Sequence, residues 1–319
     1  MSGSGGESSE AGVTARFELQ AATLLELVEE VETALVGADL AFGHGTDNAR
    51  DEAAWLVLEA LGRSPVEPVA DVHREVAPAE VAAVRALLAE RMTTRRPLAY
   101  ITGRAWFAGL ELRVDERSLV PRSPMAEMIL GRFAPWLRAP QVRYILDIGT
   151  GGGCIAVACA CAFPEAEVDA ADVDPAALEL ARENIARHGL SQRVHLRRAD
   201  VFTGLPPRRY DLIVANPPYV DGERMAQLPA EYRHEPAAAL AGGSDGRAII
   251  DRILAEAGSH LSAAGLLVVE TGGAGAAVEA GWPHLPFVWP ELDSGDAGIF
   301  VLDAAALGVG AEAGDPGGG

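Results

Sequence analysis

The sequence predicts an α/β fold, a mostly parallel sheet with helices between its strands, preceded by a small helical domain. Three observations carry this. From about residue 123 onward, short apolar runs alternate with segments of helical periodicity. One run, Tyr144-Ile145-Leu146-Asp147-Ile148, passes directly into a glycine loop, Gly149-Thr150-Gly151-Gly152-Gly153. Residues 19–36 instead alternate Leu and Glu at helical spacing, with Leu24, Leu25, Val28 and Val31 on one face.

Composition sets outer limits. A chain of 319 residues holds a main domain and a smaller one. No run approaches the roughly 18 apolar residues of a membrane span, and the Gly/Ser/Glu-rich residues 1–10 are no signal peptide. Cys154, Cys159 and Cys161 cluster on or beside the helix after the glycine loop, and we read them as small buried packing residues. One cluster without a second makes neither a disulfide framework nor a good zinc site, so no metal is expected and a reducing cytoplasm fits. The formal net charge is −20. Duplex DNA is polyanionic and its binders usually present a basic surface, so this charge argues against DNA and suits a basic protein partner. A local basic patch such as Arg193, Arg197 and Arg198 could stand against that argument.

The elements follow in order. Residues 1–14 and 306–319 are rich in small and acidic residues and are expected to be disordered. A helical domain over 15–97 should contain a helix at 19–36, a second capped by Asp47 or Asn48 and running through Leu61, and a third at 79–93. Residues 98–122 alternate around Gly109 and predict a β-hairpin leading into the main α/β domain at 123–305. There, strands are expected at 144–148, 168–172, 194–199, 210–215, 265–270, 287–291 and 298–302. A helix rich in small residues should follow the glycine loop at 155–163, and Asp174 should cap another opened by Pro175.

The chemistry gathers at strand ends, where open α/β sheets bind ligands. Glycines let a backbone approach a cofactor closely, and a helix N-terminus adds oriented N–H groups; a dinucleotide could use the same loop. Asp172 ends the next strand about twenty residues on, where an acid can accept from both ribose hydroxyls. Asp169 lies inside that strand. Asp200, with Val201 beside it, ends the following strand and could meet an adenine amino group or simply close a turn. Asn216-Pro217-Pro218-Tyr219 follows the run at 210–215. The Asn216 side-chain oxygen and the Pro217 carbonyl can each accept an N–H, the prolines remove competing donors, and Tyr219 offers a flat face. A strand-ending turn is the plain alternative.

Glycine loop, ribose acid, adenine acid and Asn-Pro-Pro-Tyr, in that order, resemble class I S-adenosylmethionine-dependent methyltransferases acting on planar nitrogens. Leu98-Ala99-Tyr100-Ile101-Thr102-Gly103, Trp106-Phe107, Leu119-Val120-Pro121-Arg122-Ser123-Pro124, Glu127, and Ala241-Gly242-Gly243-Ser244-Asp245-Gly246 resemble the protein glutamine methyltransferases. Gly43-His44-Gly45-Thr46-Asp47-Asn48 and Glu231-Tyr232-Arg233-His234-Glu235-Pro236 are similar to the branch that modifies the third large-subunit ribosomal protein, rather than the branch acting on release factors. The resemblance covers roughly residues 15–305. It implies a Rossmann-like sheet of seven strands with the last antiparallel, substrate docking by the helical domain, and S-adenosylmethionine as cofactor. It places that cofactor on Asp147, Gly149, Thr150, Gly151, Gly152, Gly153, Asp172, Asp200, Val201 and Asn216, with Glu127 bordering the pocket. Gly152 stands where the family often carries Ser, which backbone binding should tolerate.

The implied reaction needs positioning more than a strong base, because an amide lone pair is delocalised. Asn216, Pro217, Pro218 and Tyr219 would hold the amide, and the two acceptors would stabilise positive charge developing on nitrogen. No general base stands out; His234 is a candidate, though a lone loop histidine is more often structural. A DNA adenine methyltransferase would share the tetrad, and a nicotinamide oxidoreductase the loop alone. A non-catalytic module in ribosome assembly would need neither motif intact.

Overall fold

The computed structural model describes residues 18–309 except 294, 296 and 297, so the expected tail at 1–14 and most of that at 306–319 lie outside the described residues. Two compact units emerge. One takes in the described residues up to 103 together with 229–234, and the other the rest.

The smaller unit is helical: α1 (Leu24–Gly37), α2 (Ala49–Ala60), α3 (Pro78–Thr94) and α4 (Leu98–Thr102). α1 starts five residues later than its periodicity suggests, because a reciprocal cap sets the start. Thr23 Oγ1 accepts from the Glu26 amide at 3.3 Å, and Glu26 Oε2 accepts from the Thr23 amide at 3.0 Å. Its buried stripe is Leu24, Leu27, Val31, Ala34 and Leu35, so Leu25 and Val28 flank the core. Asn48, not Asp47, caps α2 by accepting from the Asp51 amide at 2.9 Å. α4 replaces the first arm of the expected hairpin. Pro97 sets the chain direction at its start, and Gly103, with φ of 70°, closes it in the left-handed region.

Residues 229–234 come from the chain just after the tetrad, yet they cluster with this unit. The Tyr232 and His44 rings lie 4.3 Å apart, and a Cβ on Gly43 would stand 2.8 Å from the Tyr232 hydroxyl. Glu231 is fully buried, 2.7 Å from Arg95 and 3.8 Å from Arg91. Arg91, equally buried, also meets buried Glu52 at 2.7 Å. Four charges of alternating sign thus offset one another's desolvation.

The larger unit opens with a short hairpin, β1 (Arg104–Phe107) and β2 (Leu110–Arg113), then α5 (Met125–Leu130). The alternation of strands and helices follows: β3 (Tyr144–Ile148), α6 (Cys154–Ala162), β4 (Glu167–Asp172), α7 (Pro175–Arg187), β5 (Val194–Arg198) and β6 (Tyr210–Ala215). After the tetrad come α8 (Gly222–Gln227), α9 (Ala237–Leu240), α10 (Ala248–His260), β7 (Leu261–Glu270), α11 (Gly275–Gly281) and β8 (Ile299–Asp303). The sheet order is β5-β4-β3-β6-β7-β8, parallel except for β8, which runs antiparallel to β7. Central β6 is buried on both sides, as a parallel strand under helices must be. Leu212 and Val214 join the core containing α6, while Ile213 and Ala215 join the one containing α10.

The sheet has six strands among the described residues. Where a further strand was expected at 287–291, Val288 makes only an isolated antiparallel bridge with Val301. Pro286 and Pro290 flank it and lack the N–H groups a ladder needs. The cysteines also depart from expectation: Cys159 is buried, Cys154 half-buried and Cys161 exposed, because the last turn of α6 rotates Cys161 outward.

Candidate cofactor and amide site

The glycine loop begins where β3 ends. Gly149, Gly151 and Gly153 have φ of 71°, 54° and 83°, which glycine adopts without steric cost. All five loop N–H groups are taken up internally. The amides of Gly149 and Thr150 donate to the Ala171 carbonyl at 2.8 and 2.9 Å, and Gly153 to the Thr150 carbonyl at 2.8 Å. Gly151 donates to Asp172 Oδ2 and Gly152 to Ser118 Oγ, both at 2.8 Å. The loop amides expected to face a ligand are therefore occupied, and what the loop offers is close approach. A Cβ on Gly151 would stand 2.6 Å from Ser118 Oγ, whereas at Gly152 the nearest atom is the movable Leu180 Cδ2 at 3.2 Å. Serine at 152 is thus compatible on packing grounds.

Asp147 is fully buried in β3. Its Oδ2 accepts from Thr150 Oγ1 at 2.6 Å and from the Ala156 amide at 3.0 Å, tying the loop to α6. Its Oδ1 is buried without a hydrogen-bond partner. Burial, the largest influence, pushes this carboxyl up to about 7. Asp172 Oδ1 accepts from the Asp174 amide at 2.9 Å and Oδ2 from Gly151, so each oxygen keeps capacity for a hydroxyl. Burial raises its pKa as well, opposed by those two N–H groups. Asp200 closes a turn with Thr203 and is paired with Arg252 at 2.8 Å, which holds its carboxyl below the usual range. Val201, buried in that turn, has φ of 55°, an unusual value for a β-branched residue.

The tetrad lies beside the loop. Ala215 pairs with Ile148 on one side and Val269 on the other, so Asn216 leaves the sheet where Gly149 does. Among the described residues the Asn216 carboxamide makes no hydrogen bond, which leaves its oxygen available. Pro217 is buried, and Pro218 and Tyr219 are half-buried. Glycines receive Tyr219: a Cβ on Gly242 would stand 2.6 Å from its Cα, one on Gly246 2.4 Å from its carbonyl oxygen, and one on Gly272 2.4 Å from its ring. The glycines at 242 and 246 therefore act by admitting the tetrad.

The remaining residues fall into place. Glu235 accepts from Arg122 through both oxygens, at 2.5 and 2.8 Å, and from the Val120 amide at 3.0 Å. His234 bonds the Thr94 carbonyl at 3.2 Å within the helical unit, and Glu127 accepts from the Asp293 amide at 2.9 Å. Arg193 donates to three backbone carbonyls around the end of α6, and Arg197 pairs with Asp169 at 2.7 Å, so the local basic patch is largely internal. Sequence reasoning missed Ser118 and Glu270, which belong to no motif and reach the site through tertiary contacts alone.

S-adenosylmethionine carries a cationic amino group and a ribose diol but no phosphate. The orphaned buried oxygen of Asp147, the Asp172 carboxylate and a loop without free amides fit it. A family model described as "Methyltransferase small domain" matches residues 132–240, and another described as "PrmC N-terminal domain" matches residues 38–103. The "Ribosomal protein uL3 glutamine methyltransferase" of Bordetella pertussis is 48% identical over 290 residues, covering 90% of this chain and 95% of that protein. Proteins of the same name from Burkholderia pseudomallei (44%, covering 89% and 95%) and Xylella fastidiosa (43%, covering 89% and 91%) are similar to this chain throughout. Identity of this order over nearly the whole length of each protein means that the chain belongs to the ribosomal protein uL3 glutamine methyltransferase family.

Proposed function

We propose that this protein methylates the side-chain amide nitrogen of a glutamine in ribosomal protein uL3, with Asn216, Pro217, Pro218 and Tyr219 as the amide site. The observation that carries the reading is the placement of an unbonded Asn216 carboxamide beside the Gly149 loop, with Asp172 tied into that loop. S-adenosylmethionine supplies a methyl group activated on a sulfonium. Asp147 and Asp172 hold the cofactor's amino and ribose groups, and Asp200 with Val201 borders its base. The Asn216 oxygen and the Pro217 carbonyl would accept the two amide hydrogens, orient the nitrogen lone pair and stabilise charge as the N–C bond forms and the methyl's bond to sulfur breaks, leaving a neutral thioether, with one amide proton then lost to water. Tyr219 packs its ring against the amide plane. The helical unit docks the substrate, and a net charge of −20 favours a basic one. A reducing cytoplasm suits the free cysteines and a ribosomal substrate.

The test is incubation with labelled S-adenosylmethionine and, separately, unmethylated uL3, a peptide-chain release factor and DNA. Mass spectrometry should place about 14 Da, one methylene, on a glutamine side chain of uL3, the increment of a methyl replacing hydrogen. Label on the release factor alone would move the protein to the sister activity, and label on DNA adenine alone would overturn glutamine as the acceptor.

A further inference from the structure

Tyr219 is held by more than its glycines. Its hydroxyl donates to Glu270 Oε1 at 3.0 Å. Glu270 ends β7, one residue beyond Val269, the partner of Ala215, so it stands level with the start of the tetrad. Its side chain is almost wholly buried, and its other oxygen accepts from Ser123 Oγ at 2.5 Å. Ser123 Oγ in turn accepts from the Met125 amide at 3.1 Å, which anchors the serine at the start of α5. Neighbouring Arg122 is fixed by Glu235. A chain of polar contacts therefore runs from the turn before α5 to the phenol. An acid buried at a strand end is costly unless each oxygen is bonded. Here both oxygens are bonded, and one of the two donors belongs to the tetrad.

We propose that Glu270, braced by Ser123, is a positioning residue for methyl transfer that acts through the Tyr219 hydroxyl. This rests on the reading of Tyr219 as the surface against which the substrate amide lies. Gly272 limits the ring from one side and the apolar core beside α10 packs against it, and the hydroxyl contact adds a directional restraint on the ring. Small misplacement of a platform misaligns the amide nitrogen with the methyl group, and such errors reduce rate without altering cofactor affinity. Burial raises the Glu270 pKa, opposed by the Ser123 and Tyr219 hydrogen bonds.

The experiment is a double-mutant cycle on the full chain, with single-turnover methylation of purified uL3 and calorimetry of S-adenosylmethionine binding. Glu270→Leu removes both acceptors at similar volume, Glu270→Gln keeps a carbonyl acceptor, and Tyr219→Phe removes only the hydroxyl. Glu270→Leu and Tyr219→Phe should each slow transfer about tenfold, a misalignment-sized effect. Glu270→Gln should recover most of that loss, and cofactor affinity should stay within about twofold of wild type, as expected for a residue that does not touch the cofactor. The double variant should be no slower than either single variant. Multiplying losses, a wild-type rate for Glu270→Leu, or cofactor affinity that falls with rate would each overturn the inference. Should Glu270→Leu fail to fold, the cycle of Glu270→Gln with Tyr219→Phe decides, since any loss from Gln must vanish in the Phe background. Asn216→Ala is run alongside. If it is slow while the cycle is additive, only the Glu270 inference fails; if it matches wild type, the reading of the tetrad itself fails.

Discussion

Asp172 holds Gly151. The carboxylate Oδ2 accepts the Gly151 amide at 2.8 Å, while Oδ1 accepts that of Asp174 at 2.9 Å. The acid assigned to the ribose is therefore also the brace of the glycine loop. Asp172→Ala should weaken S-adenosylmethionine binding about ten- to a hundred-fold, the worth of a hydrogen bond to a charged group. It should also lower unfolding stability by about 1–3 kcal/mol, because the Gly151 amide loses its acceptor. Calorimetry and urea unfolding on one preparation check both. Unchanged affinity with reduced stability would leave Asp172 a structural brace only.

Asn216→Ala removes an acceptor without disturbing any internal hydrogen bond of the described protein. Turnover on saturating substrates should fall about 10²–10³-fold, the usual cost of losing a preorganised transition-state contact. Cofactor affinity should change far less. Asn216→Asp should also be slow, since its negative charge can pair with the sulfonium. Single-turnover rates near wild type for Asn216→Ala would reduce the tetrad to a strand-ending turn.

Asp147 links stability to pH. Its folded pKa of about 7 lies above the ordinary value of 3.8. Its contribution to stability is thus fully present below pH 3.8 and is lost as pH rises through 7, because unfolding there releases a proton. Without cofactor, thermal stability should decline from about pH 5 to 7 more steeply in wild type than in Asp147→Asn, the direction linkage requires. Saturating S-adenosylmethionine should flatten the slope if its amino group meets the ionised carboxylate. Identical pH profiles for wild type and Asp147→Asn would disprove the assignment.

Gly246→Ala tests the glycine cradle. The new methyl would meet the Tyr219 carbonyl oxygen at 2.4 Å, from a backbone whose φ is +76°. Neither atom can swing aside, so the tetrad must shift, at a cost of about 1–3 kcal/mol. Methylation should fall with it, while cofactor affinity should hold. A rate equal to wild type would show that the loop carrying Gly246 gives way freely.

Glu231→Gln probes the helical unit. It leaves Arg91 and Arg95 with Glu52 as the remaining member of the buried charge group. Removing one partner of a buried pair typically costs on the order of 3 kcal/mol. Chemical denaturation should show that loss; a change below about 0.5 kcal/mol, the scale of an ordinary surface substitution, would mean the group is already well hydrated.

The sequence by itself determined the class of fold and the stations along it. Runs such as Tyr210–Ala215 are apolar throughout because both faces of a parallel strand are covered, and that signal needs no partner to be read. Glycines, prolines and caps act within a few residues, so the loop at 149–153, the Asp174 cap and the Asn-Pro-Pro-Tyr turn were equally legible. Only the tertiary structure decided what those stations touch. Ser118 reaches Gly152 across 34 residues and Glu270 reaches Tyr219 across 51, each a solitary polar residue with no periodic signature. It also decided that residues 229–234 join the helical unit, where Tyr232 meets His44. The same holds for the failed strand at 287–291 and the occupied loop amides. Periodicity reports which face of an element is apolar, whereas strand register and turn geometry select the partner of each polar group, and those are settled only when the whole chain packs.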